Sequence, residues 1–262
     1  MRILRIVRNV AIAIAVVLLL CIGLVFYSFS KNMPLTDMQP LSGGAMVVKD
    51  GMVSVGLIPA GNGQVILVDC ANDPSTRAIL ADLGKVGLGP EAVKTILITH
   101  GHPDHVAGCS HFPQAEIFAM APEQGLIEGR EAARSVVGHF FGKRNTGLHI
   151  ARYLQDGESL QCGNVTVTAY LIPGHTDGSA AYLVAGTLYL GDSADSTKEG
   201  RLVGARRIVS NDLGQNHASL RRLAERLKPQ SQDIQFLEFG HSAPLKGLAP
   251  LEQFANSQPD GR

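Results

Sequence analysis

The run Thr99-His100-Gly101-His102-Pro103-Asp104-His105 places four side chains that bind divalent metals within six consecutive positions. A fold that carries this run must enclose it. The apolar segment Val93 to Ile98 leads in and Val106-Ala107-Gly108 leads out, which suits a loop at a strand exit better than a solvated turn. Three imidazoles and a carboxylate crowded together repel as cations and resist burial unless a metal ion takes up their lone pairs. The competing reading is a histidine-rich surface turn, and the apolar flanks argue against it.

One loop cannot complete two metal shells, so further ligands are expected at strand ends, where short turns aim side chains inward. Three positions fit: His175 in Ile172-Pro173-Gly174-His175, Asp192 in Leu190-Gly191-Asp192, and His241 in Phe239-Gly240-His241. Each follows a glycine, which lets the backbone turn sharply beside a metal. Taken singly, each is more often a surface or capping residue. The threefold recurrence of one local pattern favours ligands.

The chain has 262 residues and is 45% hydrophobic, room for one generous domain and an appendage. Lys+Arg of 23 against Asp+Glu of 23 leaves no net charge, so no electrostatic footprint for nucleic acid exists. The appendage is N-terminal. Arg2, Arg5 and Arg8 precede an uncharged apolar stretch from Val10 to Tyr27, long enough to span a bilayer as a helix and without a polar stripe. Its apolar core exceeds that of a cleaved signal and no Ala-x-Ala site follows, which favours an uncleaved anchor over a secreted product. Leu20 before Cys21 argues against a lipoprotein signal. The arginines put the N-terminus in the cytoplasm and the rest on the periplasmic side. Cys70, Cys109 and Cys162 are an odd number beyond the anchor, so no disulfide framework is expected; Cys70, after Asp69, and Cys109, four residues after His105, are candidates to border the metal site, and the plainer reading is small buried packing residues.

The expected divisions are an anchor over 1–30, a Pro/Gly-containing stalk over 31–44, a catalytic domain over 45–250 and a tail over 251–262. Within the domain, Met46-Val47-Val48, Met52 to Ile58 and Val65 to Val68 read as hairpin strands, and Pro74 to Val86 as an amphipathic helix capped by Asp73. Strand Val93 to Ile98 delivers the histidine run. Glu116 to Ala119 reads as a strand, Pro122 to Arg134 as a helix, and Ser135 to Leu154, with Phe140, Phe141, His149 and Tyr153, as a flap near the site mouth. Val165 to Ile172, Ala181 to Val184, Leu188 to Leu190 and Ile234 to Phe239 read as strands, with a helix over Asn216 to Leu227. The pattern is a mixed α/β layered domain without repeats.

The order His-x-His-x-Asp-His, Gly-His, Gly-Asp, Gly-His resembles the metallo-β-lactamase-fold hydrolases over roughly Ala45 to Leu245, in the branch with a bridging aspartate that holds the glyoxalase II-like and lactonase-like enzymes. The resemblance implies an α/β fold, the four-layer αββα sandwich of that type, here preceded by one N-terminal transmembrane helix. It implies one zinc held by His100, His102 and His175 and a second by Asp104, His105 and His241, with Asp192 bridging them. Asp69 falls where the superfamily carries an aspartate supporting the histidine loop. The N/O ligand set makes zinc the default and leaves iron or manganese possible.

Two such ions lower the pKa of a shared water from 15.7 towards about 7, giving a nucleophile without a serine or cysteine. Asp104 is placed to orient it and to carry a proton to the leaving group. The expected activity is hydrolysis of a small-molecule ester, thioester, lactone or amide. The rivals are an iron-dependent redox enzyme of the same fold (sulfur dioxygenase-like), a β-lactamase proper, and a binding protein that has lost catalysis. The bridging aspartate argues against a β-lactamase, the short segment after His241 against glyoxalase II itself, and the absent tyrosine after Asp192 leaves the lactonase match incomplete. Lys198, Arg201, Arg206 and Arg207 are candidates to meet an anionic substrate group; the plainer reading is solvated loop charges. His139 and His149 are candidate substrate contacts, His111 lies outside the pattern, and His217 reads as exposed. Nothing in the pattern sets an oligomeric state.

Overall fold

The structure, a computed structural model, describes residues 2–257, without side chains at 2–4, 11, 17–22, 24–26, 28, 140 and 141. The chain divides into two compact units, 1–32 and 33–262. The first is a single helix, α1 (Arg2–Phe29), on which Ile6, Val7, Val10, Ile12, Ile14, Val16 and Tyr27 are all exposed. Among the described residues, no helix is long and apolar enough to cross a membrane. The side chains at 11, 17–22 and 24–26 of the expected span, Cys21 among them, lie outside those residues.

The second unit holds two large sheets. The first runs in sequence order from β1 (Gln39–Pro40) through β2 (Met46–Asp50), β3 (Val53–Gly61), β4 (Gln64–Val68), β5 (Val93–Leu97) and β6 (Glu116–Met120) to β7 (Arg152–Leu154). The hairpins β1 to β4 are antiparallel, and the pairs β4–β5, β5–β6 and β6–β7 are parallel. The second sheet takes β8 (Ser159–Cys162), β9 (Val165–Leu171), β10 (Ala180–Val184) and β11 (Thr187–Tyr189), then β14 (Phe236–Glu238) and β15 (Leu245–Lys246). A separate ribbon, β12 (Ala194–Ser196) with β13 (Leu202–Gly204), lies between them in sequence.

Side-chain alternation produces the layering. In β4, Ile66 and Val68 point into the same core as Val167, Ala169, Tyr182 and Val184 of the other sheet, so the two sheets pack face to face. The alternate residues Val65 and Leu67 face outward onto α2 (Arg77–Lys85), through its Ile79 and Leu83. The far face of the second sheet, with Ala181 and Leu188, packs on Leu220, Leu223 and Leu227 of α6 (Leu213–Leu227). Helix, sheet, sheet, helix is the result, as the resemblance implied. Strands covered on both faces read as near-continuous apolar runs, which is why they stood out in the sequence.

Several expected segments differ, among them the helix expected from Pro74 with an Asp73 cap, which starts at Arg77 behind Thr76. The stalk region carries β1 and buries Leu35 and Leu41 in the inter-sheet core, a use for apolar residues that composition alone concealed. The helix expected over 122–134 is only α4 (Gln124–Ile127), because Gly129 adopts φ +69° and the chain turns back, Glu131 N–H donating to Gly125 C=O. The tail begins inside α7 (Ala249–Asn256), which buries Leu251 against the outer layer; positions 258–262 lie outside the described residues. The segment expected as a flap contains α5 (Val136–Phe141), capped by the Ser135 hydroxyl accepting from Gly138 N–H, and ends in β7 of the first sheet; the side chains of Phe140 and Phe141 lie outside the described residues.

Glu238 is a buried carboxyl at the end of β14, hydrogen-bonded by the Ser54 hydroxyl. Burial, together with the nearby charge of Asp69, pushes its pKa from 4.5 up to about 8. An unfolded glutamate releases its proton near 4.5 whereas Glu238 keeps it until about 8, so the metal-free fold loses stability as pH rises through that window. The slope is up to ~1.4 kcal/mol per pH unit. Glu238→Gln, uncharged throughout, is expected to flatten the fall of Tm between pH 5 and 8 in the metal-free protein. An unchanged slope in thermal melts across that range counts against the assignment.

Candidate metal centre

β5 ends at Leu97, and the histidine run leaves it through Thr99 to form the turn and short helix α3 (Pro103–Val106). His175 follows β9, Asp192 follows β11, and His241 follows β14. All seven expected residues therefore meet at one end of the sheet sandwich. His102 Nδ1 and His175 Nε2 are 3.0 Å apart, and the His100 ring lies 4.6 Å and 4.5 Å from those of His102 and His175. Beside them, His241 Nε2 is 3.4 Å from Asp104 Oδ2 and His105 Nε2 is 3.9 Å from the same atom. Asp192 reaches both groups: Oδ1 is 3.2 Å from His105 Nε2, and Oδ2 is 3.2 Å from His241 Nε2 and 3.7 Å from His175 Nε2.

Four imidazoles are fixed by a partner on Nδ1, leaving Nε2 to face the centre. His100 Nδ1 lies 3.1 Å from Thr99 Oγ1, His105 Nδ1 2.7 Å from Asp69 Oδ2, His175 Nδ1 3.0 Å from Ser210 Oγ, and His241 Nδ1 2.8 Å from the Met52 carbonyl. Such outer hydrogen bonds select the tautomer and ring orientation a metal requires. His100 Nε2 is buried and makes no hydrogen bond, while the buried His105 Nε2 and Asp192 Oδ1 face each other at 3.2 Å. Buried lone pairs without partners cost free energy, and converging nitrogen and carboxylate donors at these spacings fit metal ions.

The electrostatics divide the set. Burial, reinforced by neighbouring imidazoles, holds His100 and His102 below the usual histidine range and His175 down to about 3. These three present neutral lone pairs. Burial also opposes charge on His105 and His241, yet Asp192 with Asp69 and Asp104 outweighs it at His105, and Asp192 with Asp104 brings His241 up to about 10. Burial likewise disfavours ionisation of the carboxylates, but the two imidazoles hold Asp192 well below its usual range and Asp104 down to about 2. In the metal-free protein, protons on these imidazoles balance the carboxylates; cations would take that place.

Two glycines make the approach possible. Gly191 sits at φ +51°, and a Cβ there would meet Thr99 Oγ1 at 2.5 Å. At Gly240 the constraint is space, since a Cβ would lie 2.2 Å from Asp192 Oδ1. Several other groups were not evident from sequence. Ser210, Met52 C=O and the buried Glu123 have no local pattern that marks them. Cys70 and Cys109 form a disulfide, contrary to the expectation of packing residues; counting three cysteines hid the pair, although their positions beside Asp69 and His105 were a usable signal. Arg206, a candidate substrate contact, is instead bound to buried Asp195 at 2.8 Å. Lys198, Arg201 and Arg207 are exposed, as are His139 and His149. His217, expected exposed, packs edge-on to Phe254.

The family model described as the metallo-beta-lactamase superfamily matches residues 48–241. An uncharacterized protein of Mycobacterium leprae is 30% identical over 145 residues, 48% of this chain and 65% of that protein. A hydroxyacylglutathione hydrolase of Aeromonas hydrophila is 30% identical over 133 residues, 49% of this chain and 42% of that protein. The chain thus spans about half the length of the curated relatives it matches. A subclass B3 metallo-beta-lactamase of Bradyrhizobium japonicum superposes with a TM-score of 0.62 at 20% identity, covering 86% of this chain and 91% of that one, a likeness of fold.

Proposed function

This chain belongs to the metallo-beta-lactamase superfamily, and on that premise we propose that it is a two-zinc hydrolase of a small carboxyl derivative, anchored to a membrane with its catalytic domain on the periplasmic side. The observation that carries the two-ion reading is Asp192, whose carboxylate faces His175 on one side and His105 and His241 on the other. His100, His102 and His175 would hold one ion and Asp104, His105 and His241 the second, with Asp192 common to both. When bound, the ions supply an acidified water and Lewis acidity towards a carbonyl oxygen.

The chain's own residues do the rest. Neutral His100 and His175 are oriented by Thr99 and Ser210 and present Nε2 without a competing proton. The Asp104 side chain is about a third exposed and ionised at neutral pH, so its Oδ2 is placed to accept a proton from the attacking water and pass it to the leaving group. Thioesters are the first substrates to try, since hydroxyacylglutathione in the relative's name is one; esters, lactones and amides follow.

Location rests on two features. Arg2, Arg5 and Arg8 precede the apolar segment, and the Cys70–Cys109 disulfide belongs to an oxidising compartment. The test of the whole reading is metal analysis of the full-length protein in detergent, with a panel of thioesters, esters, lactones and β-lactams. About two zinc per chain with turnover of a carboxyl derivative is expected; one iron with no hydrolysis would overturn it and favour redox chemistry.

A further inference from the structure

Glu123 is not one of the seven converging residues, yet it is 1% exposed and spends both carboxyl oxygens on the turns that carry them. Oε1 accepts from Gly101 N–H at 2.7 Å. Oε2 accepts from Thr176 Oγ1 and from Gly178 N–H, each at 2.8 Å. Gly101 lies between His100 and His102, and Thr176 follows His175. One carboxyl group therefore ties together the two turns that supply His100, His102 and His175. The other side of the centre is fastened at His105 by Asp69, which also reaches His100 through Thr99, and at His241 by the Met52 carbonyl.

We propose that Glu123 is a positioning residue for one ion of the pair, the one held by His100, His102 and His175. The inference rests on the two-ion reading above. Its chemical basis is donor count. Two backbone N–H groups and one hydroxyl converge on a buried point, and a carboxylate accepts from all three, whereas an amide must turn an NH2 donor towards one of them. Glutamine keeps the volume and loses one of the two ties. The turns then move apart independently, and a ligand set held to within fractions of an ångström is the first thing to suffer.

Stepwise zinc affinities, measured on the full-length protein by competition with a chromophoric chelator, test this. In the unaltered protein two binding steps are expected. Glu123→Gln is expected to weaken one step by about 10–100-fold and to leave the other unchanged. Thr176→Ala, which removes a single tie and disturbs packing little, should weaken the same step by less. If Glu123→Gln fails to fold, the Thr176→Ala result decides alone. Two normal steps in either folded variant overturn the inference, and so does equal weakening of both steps, which is what a general packing role produces. Fewer than two zinc sites in the unaltered protein overturns the two-ion reading itself, and this inference with it.

Discussion

Asp192→Ala is expected to lower turnover of any substrate by at least about 10³-fold, equivalent to ~4 kcal/mol of transition-state stabilisation. The reason is that Asp192 faces both halves of the centre, with Oδ1 3.2 Å from His105 Nε2 on one side and Oδ2 3.7 Å from His175 Nε2 on the other. Its loss also removes the negative charge that favours cations there, so the zinc content is expected to fall below two per chain. Asp192→Asn keeps the volume and loses the charge, and should fail nearly as badly; Lys198→Ala, exposed on the following loop, should change nothing. Turnover by folded Asp192→Ala within tenfold of the unaltered protein would sink the two-ion reading. Residual turnover with one bound ion would instead show that one half of the site works alone.

The centre was legible because ligation chemistry is local. Four of its residues lie in one run, and each of the other three follows a glycine at a strand exit. The sheets were legible for a related reason, since burial on both faces writes apolar runs into β4, β10 and β11, while β9 alternates. What stayed hidden depends on distant partners. Glu123 resembles any helix-start acid until Gly101 and Gly178 are seen to point at it. Ser210 has no signal at all, because its role is a hydrogen bond to a residue 35 positions away. The disulfide was obscured by parity: three cysteines cannot all pair, but two can, and Cys70 and Cys109 stand 5.1 Å apart at Cα. The end of α4 was missed because Gly129, which turns the chain, was read as an ordinary helix position.

Asp69 shows how closely the support of the centre and the stability of the fold are joined. Its Oδ1 accepts from Thr99 N–H at 2.8 Å, and its Oδ2 accepts from Thr99 Oγ1 at 2.6 Å and meets His105 Nδ1 at 2.7 Å. Thr99 Oγ1 in turn lies beside His100 Nδ1, so one carboxylate orients a histidine on each side of the centre. The backbone of Asp69 is left-handed, at φ +63°, a conformation that Asp and Asn tolerate better than Ala. Two substitutions therefore separate two effects. Asp69→Asn keeps the backbone preference and an acceptor for Thr99, and is expected to weaken zinc binding about 10–100-fold through His105 while lowering Tm little. Asp69→Ala adds an unsatisfied buried N–H at Thr99 and left-handed strain, together about 2–4 kcal/mol. That corresponds to a fall in Tm of roughly 10 °C for a domain of this size. Zinc titration and thermal melts on both variants check this. Equal losses of Tm in the two would refute the separation, and unchanged zinc affinity in Asp69→Asn would mean that His105 holds its orientation without the carboxylate.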